Sequence, residues 1–241
     1  MSRTSWDIVE RGSGSRTLVL IPGAMGTATS FDAILGPLGE HVRVLAVSPP
    51  AEPDAAKLAD GLLGLLDDRG IERIDLLGTS FGGYVAQFFA AQYPARVGTL
   101  LLANTFADAA LTRRRPLDDV LAEPAAVLAA NTQKFISSTP PSATREAILA
   151  QLAIMPPEAL KARQVGLSMG AAAPPVDTKR VHVVLIDTAD DPVITPPARD
   201  DLVARYIGCT RITLASGGHF PYVVNVDAYV AAVNQAAGVV V

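Results

Sequence analysis

Six short apolar runs recur along the chain, with amphipathic stretches of helical spacing filling most of the gaps between them. The runs are residues 17–21 (TLVLI), 42–47 (VRVLAV), 73–77 (RIDLL), 97–103 (VGTLLLA), 181–186 (VHVVLI) and 210–214 (TRITL). Nearly unbroken Val, Ile and Leu of this length suits strands covered on both faces. Residues 5–9 suit an additional edge strand. A helix is expected over 54–69, where Leu58, Leu62, Leu65 and Leu66 share a face ahead of Gly70, and another over 81–93, stopped by Pro94. Residues 196–206 and 221–236 each open on Pro, which suits a first helical turn. Strand–helix alternation of this kind predicts an α/β fold: a mostly parallel sheet flanked by helices.

The alternation breaks once. From 107 to 179 no strand pattern occurs, only helical pieces at 116–130, 142–154 and 157–169, separated by Pro and Gly. The stretch is too long for a simple connection and too helical for a disordered loop. It is expected to be a helical lid insertion over the carboxyl ends of the strands, where open α/β sheets place ligands. The 241 residues then read as a single domain, 1–241, carrying a lid at 107–179.

Composition removes several function classes. The chain is 49% hydrophobic and 18% charged, enough apolar content for a substantial core. A net charge of −4 argues against a general nucleic-acid binder. One cysteine, Cys209, permits neither an internal disulfide nor a cysteine-based zinc site. No apolar stretch follows Arg3, so no signal peptide is expected, and no uncharged run reaches the ~20 residues of a membrane helix. The expected compartment is the cytoplasm; monomer and homodimer both stay open.

Four loops carry chemistry, each directly after an apolar run. Gly78-Thr79-Ser80-Phe81-Gly82 follows RIDLL and opens the helix at 81. A G-x-S-x-G between strand and helix is a nucleophile elbow, a sharp turn that exposes the Ser80 hydroxyl. Pro22-Gly23-Ala24-Met25-Gly26 follows TLVLI, where a backbone N–H completes an oxyanion hole together with the residue after the nucleophile. The expected donors are Ala24 and Phe81, and the side chains of Met25 and Phe81 are expected to line the pocket. The loop lacks the G-K-[ST] ending of a phosphate loop. Asp187, Asp190 and Asp191 follow VHVVLI; Asp191, the last, immediately before Pro192, is preferred as the triad acid, with Asp190 the rival. Ser216-Gly217-Gly218-His219 follows TRITL and makes His219 the expected base. His41 and His182 sit away from any strand's carboxyl end and are read as structural. The order Ser80, Asp191, His219 is that of α/β-hydrolases.

On these residues the chain resembles the α/β-hydrolase superfamily over essentially its whole length. More closely it is similar to the maspardin-like members, through the segments 78–87 (GTSFGGYVAQ), 102–108 (LANTFAD) and 217–222 (GGHFPY). The resemblance implies a hydrolase fold and admits a non-catalytic binding role. The complete set of triad residues argues for catalysis instead.

The chemistry expected is acyl transfer. Ser80 attacks a carbonyl, His219 takes its proton, Asp191 orients His219, and the N–H groups of Ala24 and Phe81 hold the oxyanion. Neither a metal nor an organic cofactor is required. The expected substrate is a small ester, thioester or lactone with an apolar acyl part, because the insertion is rich in Ala, Leu and Pro. Carbon–carbon bond hydrolysis or lyase chemistry on the same triad is the rival within enzymes. Arg113, Arg114 and Arg115 are read as a solvated run, Cys209 as a small packed residue and Trp6 as a packing anchor. The apolar tail at 238–241 carries no functional reading.

Overall fold

The computed structural model of the protein describes residues 6–238. Among these, seven strands form one sheet: β1 (Asp7–Arg11), β2 (Thr17–Ile21), β3 (Arg43–Ser48), β4 (Ile74–Thr79), β5 (Val97–Ala103), β6 (His182–Thr188) and β7 (Thr210–Leu214). Their spatial order is β1-β3-β2-β4-β5-β6-β7. β1 lies antiparallel on β3 at one edge, and every other pairing is parallel. The expected edge strand thus forms slightly later than 5–9, and residue 5 lies outside the described residues.

Ten helices accompany the sheet in the described residues: α1 (Asp32–Gly39), α2 (Ala55–Asp68), α3 (Phe81–Gln92), α4 (Leu117–Ala122), α5 (Ala125–Ser137), α6 (Ala143–Ile154), α7 (Pro157–Ser168), α8 (Pro196–Arg205), α9 (Pro221–Val224) and α10 (Val226–Ala237). Period-two alternation sends Val19, Ile21, Leu45 and Val47 to the face covered by α2, α3 and α8. Leu18, Leu20, Val44 and Ala46 go to the face covered by α1 and α10. Burying each such side chain stabilises by about 1.5–3 kcal/mol, which is why both faces must be clothed. Trp6 packs on α2, its ring nitrogen lying 3.0 Å from where a Cβ on Gly61 would sit.

Three helices differ from expectation. α1 arises where no helix was expected. The expected helix at 116–130 is two helices, because Pro124 cannot continue α4 and instead caps α5. The expected helix at 221–236 breaks at Asn225, whose φ of −139° and ψ of 53° are not helical and whose amide donates to Ser216 O at 2.8 Å.

The insertion between β5 and β6 contains no strand, only an isolated antiparallel bridge between Asp108 and Ala172 that pins its two ends together. Its helices share a small apolar cluster, Val120, Leu128, Met155, Ala159 and Leu160, against which Met25 packs. It therefore reaches the loop after β2. The chain runs from β2 out to β3, then returns to β4 on the other side of β2. That reversal puts the switch point of the sheet between the carboxyl ends of β2 and β4, the place where such sheets take ligands.

Candidate active site

Ser80 stands on that switch point. Its φ of 53° and ψ of −123° are unusual for a residue with a side chain. The turn is held by its backbone: Ser80 N donates to Ala103 O at 3.1 Å, while Ser80 O accepts from Gly83 N at 2.9 Å, Tyr84 N at 3.1 Å and Thr105 Oγ1 at 2.5 Å. Glycine is obligatory beside it. A Cβ on Gly78 would fall 2.3 Å from Gly82 O, and one on Gly82 would fall 2.1 Å from Ile21 O. The loop after β2 is equally close: a Cβ on Gly23 would lie 3.3 Å from Ser80 Cβ and 3.7 Å from Ser80 Oγ. Ser80 Oγ itself makes no hydrogen bond among the described residues and is partly exposed.

His219 and Asp191 are joined. His219 Nδ1 lies 2.9 Å from Asp191 Oδ2, with both side chains buried. Asp191 Oδ2 also accepts from Asn104 Nδ2 at 2.8 Å, and its Oδ1 accepts from Val193 N at 2.7 Å and Ile194 N at 3.2 Å. Burial alone would raise this carboxyl's pKa. Its hydrogen bond and charge interaction with His219, and the Asn104 and Val193 donors, outweigh burial and bring it down to about 2. Asp191 is therefore a carboxylate at any working pH.

The other two aspartates do different jobs. Asp190 accepts from Gly217 N at 3.3 Å and Gly218 N at 2.8 Å, so it holds the loop that carries His219. Asp187 pairs with Arg211 on the neighbouring strand, Nε at 2.9 Å. That loop would otherwise extend beyond β7. Gly217 and Gly218, at φ 140° and 56°, turn it back, and Gly218 O accepts from Thr188 Oγ1 and from Asn104 Nδ2 at 3.3 Å. His219 is thereby held beside the loops that follow β5 and β6, where Asn104 and Asp191 stand.

Asn104 was not expected. It follows β5, between the strands bearing Ser80 and Asp191, and its φ of 41° is one that Asn tolerates. One side-chain amide thus ties the loops of β5, β6 and β7 together. The available signal was a polar residue directly after an apolar strand. Arg163, on α7, was also not expected; its guanidinium is buried against the loop after β2.

The remaining expected residues fall as follows. Ala24 and Met25 sit on the loop after β2, half-buried, with the Ala24 N–H unpaired among the described residues. The Phe81 side chain does not line a pocket: it is fully buried in the main core, because α3 turns it under the sheet's helical layer. Its N–H is the first of the helix's unpaired donors. His41 and His182 are exposed, His182 opening β6 at the amino end. Cys209 packs against the core, and burial pushes its thiol up. Arg115 pairs with Glu123 and Arg114 donates to Ser168 O at 3.0 Å. No cluster of metal-ligating residues occurs among the described residues, and none of their helices is long and apolar enough to cross a membrane.

The chain is similar in sequence and in fold to several known proteins. Maspardin of Mus musculus is 26% identical over 227 residues, covering 90% of this chain and 74% of that one. A 2-hydroxy-6-oxononadienedioate/2-hydroxy-6-oxononatrienedioate hydrolase of Paraburkholderia phymatum is 36% identical over 107 residues, 39% of this chain and 37% of that one. The crystal structure of an enol-lactonase from Burkholderia xenovorans LB400 superposes with a TM-score of 0.78 at 18% identity, over 97% of this chain and 96% of that one. The model of the alpha/beta hydrolase family matches residues 18–232, nearly the whole sheet with its insertion, and the chain belongs to that family.

Proposed function

We propose that this protein is a serine hydrolase that forms an acyl-enzyme on Ser80. The observation that carries the reading is the 2.9 Å bond between His219 Nδ1 and Asp191, whose pKa is held low, on the same sheet edge as a strained, partly exposed serine. With Nδ1–H donating to Asp191, Nε2 is left as the acceptor that a general base needs. Ser80 Oγ attacks the carbonyl carbon as its proton passes to Nε2. The leaving group departs with that proton. Water then attacks the acyl carbon, loses its proton to Nε2, and Ser80 is regenerated. Ala24 N–H and Phe81 N–H are the oxyanion donors, placed on the two loops that meet at the switch point.

The substrate class we favour is a small ester, thioester or lactone with an apolar acyl part. The insertion at 107–179 acts as a lid in this reading: its apolar cluster meets Met25, one residue from the Ala24 donor. Carbon–carbon bond hydrolysis is the second reading, favoured by the relative named for 2-hydroxy-6-oxononadienedioate. A non-catalytic binding role is the rival outside catalysis.

A panel of p-nitrophenyl esters of graded acyl length, with lactones and a vinylogous 1,5-diketone, separates these readings. Wild type should turn over at least one ester or lactone, and Ser80→Ala should lose about 10⁴-fold or more with its melting temperature preserved. Turnover of the diketone alone supports the second reading. Near-wild-type turnover by Ser80→Ala removes the mechanism.

A further inference from the structure

Arg163 is 1% exposed, and no carboxylate pairs with it among the described residues. A buried guanidinium without a counter-ion is costly, so its hydrogen bonds must offset its lost hydration. Here they all go to backbone carbonyls. Nη1 donates to Gly26 O at 2.5 Å, Ala24 O at 3.2 Å and Gly23 O at 3.4 Å, and Nη2 donates to Pro49 O at 3.0 Å. Three of the four acceptors belong to the loop after β2. Burial pushes the guanidinium down to about 10, so it stays charged at neutral pH.

The peptide between Gly23 and Ala24 is trans. In a trans peptide the N–H points opposite to the C=O. Gly23 O is held by Gly26 N at 3.0 Å and faces Arg163, so the Ala24 N–H faces away from it. Gly23 meanwhile faces Ser80 closely enough that a Cβ on it would lie 3.3 Å from Ser80 Cβ. A second residue of the insertion secures the same loop: Gln151 Oε1 accepts from Thr27 N at 3.2 Å and Thr27 Oγ1 at 2.5 Å. The close approach of α7 is built in, since a Cβ on Gly166 would lie 2.4 Å from Pro53 O.

Resting on the hydrolase reading above, we infer that Arg163 is a positioning residue for the oxyanion hole: it fixes the carbonyls of Gly23, Ala24 and Gly26 so that the Ala24 N–H is set to meet the oxyanion formed at Ser80. It touches no reacting atom. Its charge also polarises the peptides it holds, strengthening the donor on the far side.

The test compares Arg163→Met, which keeps volume and removes the charge, with Arg163→Lys, which keeps the charge but cannot reach four carbonyls at once. For each, kcat and KM are measured on the best p-nitrophenyl ester, with the inhibition constant of phenylboronic acid, whose tetrahedral adduct on Ser80 places an oxygen in the hole, and the melting temperature. Removal of one oxyanion donor costs about 10²–10³-fold, so loss of its positioning should lower kcat by about 10–100-fold in Arg163→Met. KM should stay within about twofold, since the donor acts on the transition state, and phenylboronic acid should weaken in parallel with kcat. Arg163→Lys should fall between. A folded Arg163→Met with wild-type kcat and boronate affinity overturns the inference. Should Arg163→Met fail to fold, unchanged kcat and boronate affinity in Arg163→Lys overturn it equally. Ser80→Ala run alongside separates the two ideas. If it retains activity, the hydrolase reading and this inference both fall; if it is inactive while the Arg163 variants are normal, only the role of Arg163 falls.

Discussion

A non-glycine residue held at φ 53° stores strain of about 1–3 kcal/mol, and Ser80 is kept there by four hydrogen bonds to its own backbone. Such outliers gather at functional sites, and the loop arithmetic around this one separates two neighbouring acids. Asp191 faces His219, whereas Asp190 faces two backbone N–H groups. Asp191→Asn should cost about 10⁴-fold in kcat, because an amide donor opposite Nδ1 favours the wrong imidazole tautomer. Asp190→Asn keeps one acceptor for Gly217 or Gly218, so its cost should stay below the ~10²-fold of a 1 Å misplacement. Steady-state rates on one ester decide it, and reversed magnitudes would make Asp190 the triad acid. The sequence preferred Asp191 because it stands last in its loop before Pro192, and Asp191 is the aspartate that meets His219. Asn104 and Arg163 were not legible in it, since their importance lies in contacts distant along the chain. The readable trace of Arg163 is its company: Ala159, Ala162 and Gly166 share its buried helical face, and a cation on a stripe of small residues is unusual.

At the scale of elements, strands 17–21 and 97–103 coincide with the apolar runs, since a run covered on both faces has no reason to extend into polar sequence. Strand 210–214 coincides too, but as an edge strand with only Ile212 and Leu214 half-buried, not covered on both faces as its apolar run suggested. α2 forms where the leucine spacing placed it, and Asp54 caps it: its Oδ1 accepts from Ala56 N at 2.8 Å. α1 was hidden by Gly36, Pro37 and Gly39, weak helix formers that are tolerated because Ile34, Leu35 and Leu38 are buried against the sheet. The fit of α3 against the sheet gives a sharp contrast between two glycines. Gly82→Ala would drive a Cβ into Ile21 O and should destabilise by about 1–3 kcal/mol. Gly64→Ala, inside α2 with nothing within 4 Å, should stabilise by about 0.5–1 kcal/mol. Urea denaturation of the two variants checks this, and an equal response would mean that α3 does not sit so close to β2.

For the whole molecule, the parallel order of β4, β5, β6 and β7 matters most. It lays the loops bearing Ser80, Asn104, Asp191 and His219 along one edge in chain order. The sign of one pH effect follows. The Asp191 pKa is lowered to about 2 in the fold. Its contribution to stability is therefore present above the ordinary carboxylate range and is lost as pH falls toward 2. In the working range it stays ionised and adds no limb to activity. Whether Ser80 is an activated nucleophile is read from the rate of its fluorophosphonate labelling as a function of pH, followed by intact mass in wild type and Ser80→Ala. A single adduct is expected, absent from Ser80→Ala. Its rate should decline with unit slope on the acid side, as general-base activation of the serine requires, with no second limb from Asp191 above about pH 3. An adduct that persists in Ser80→Ala, or a labelling rate that does not change with pH from 5 to 8, would contradict a base-activated Ser80.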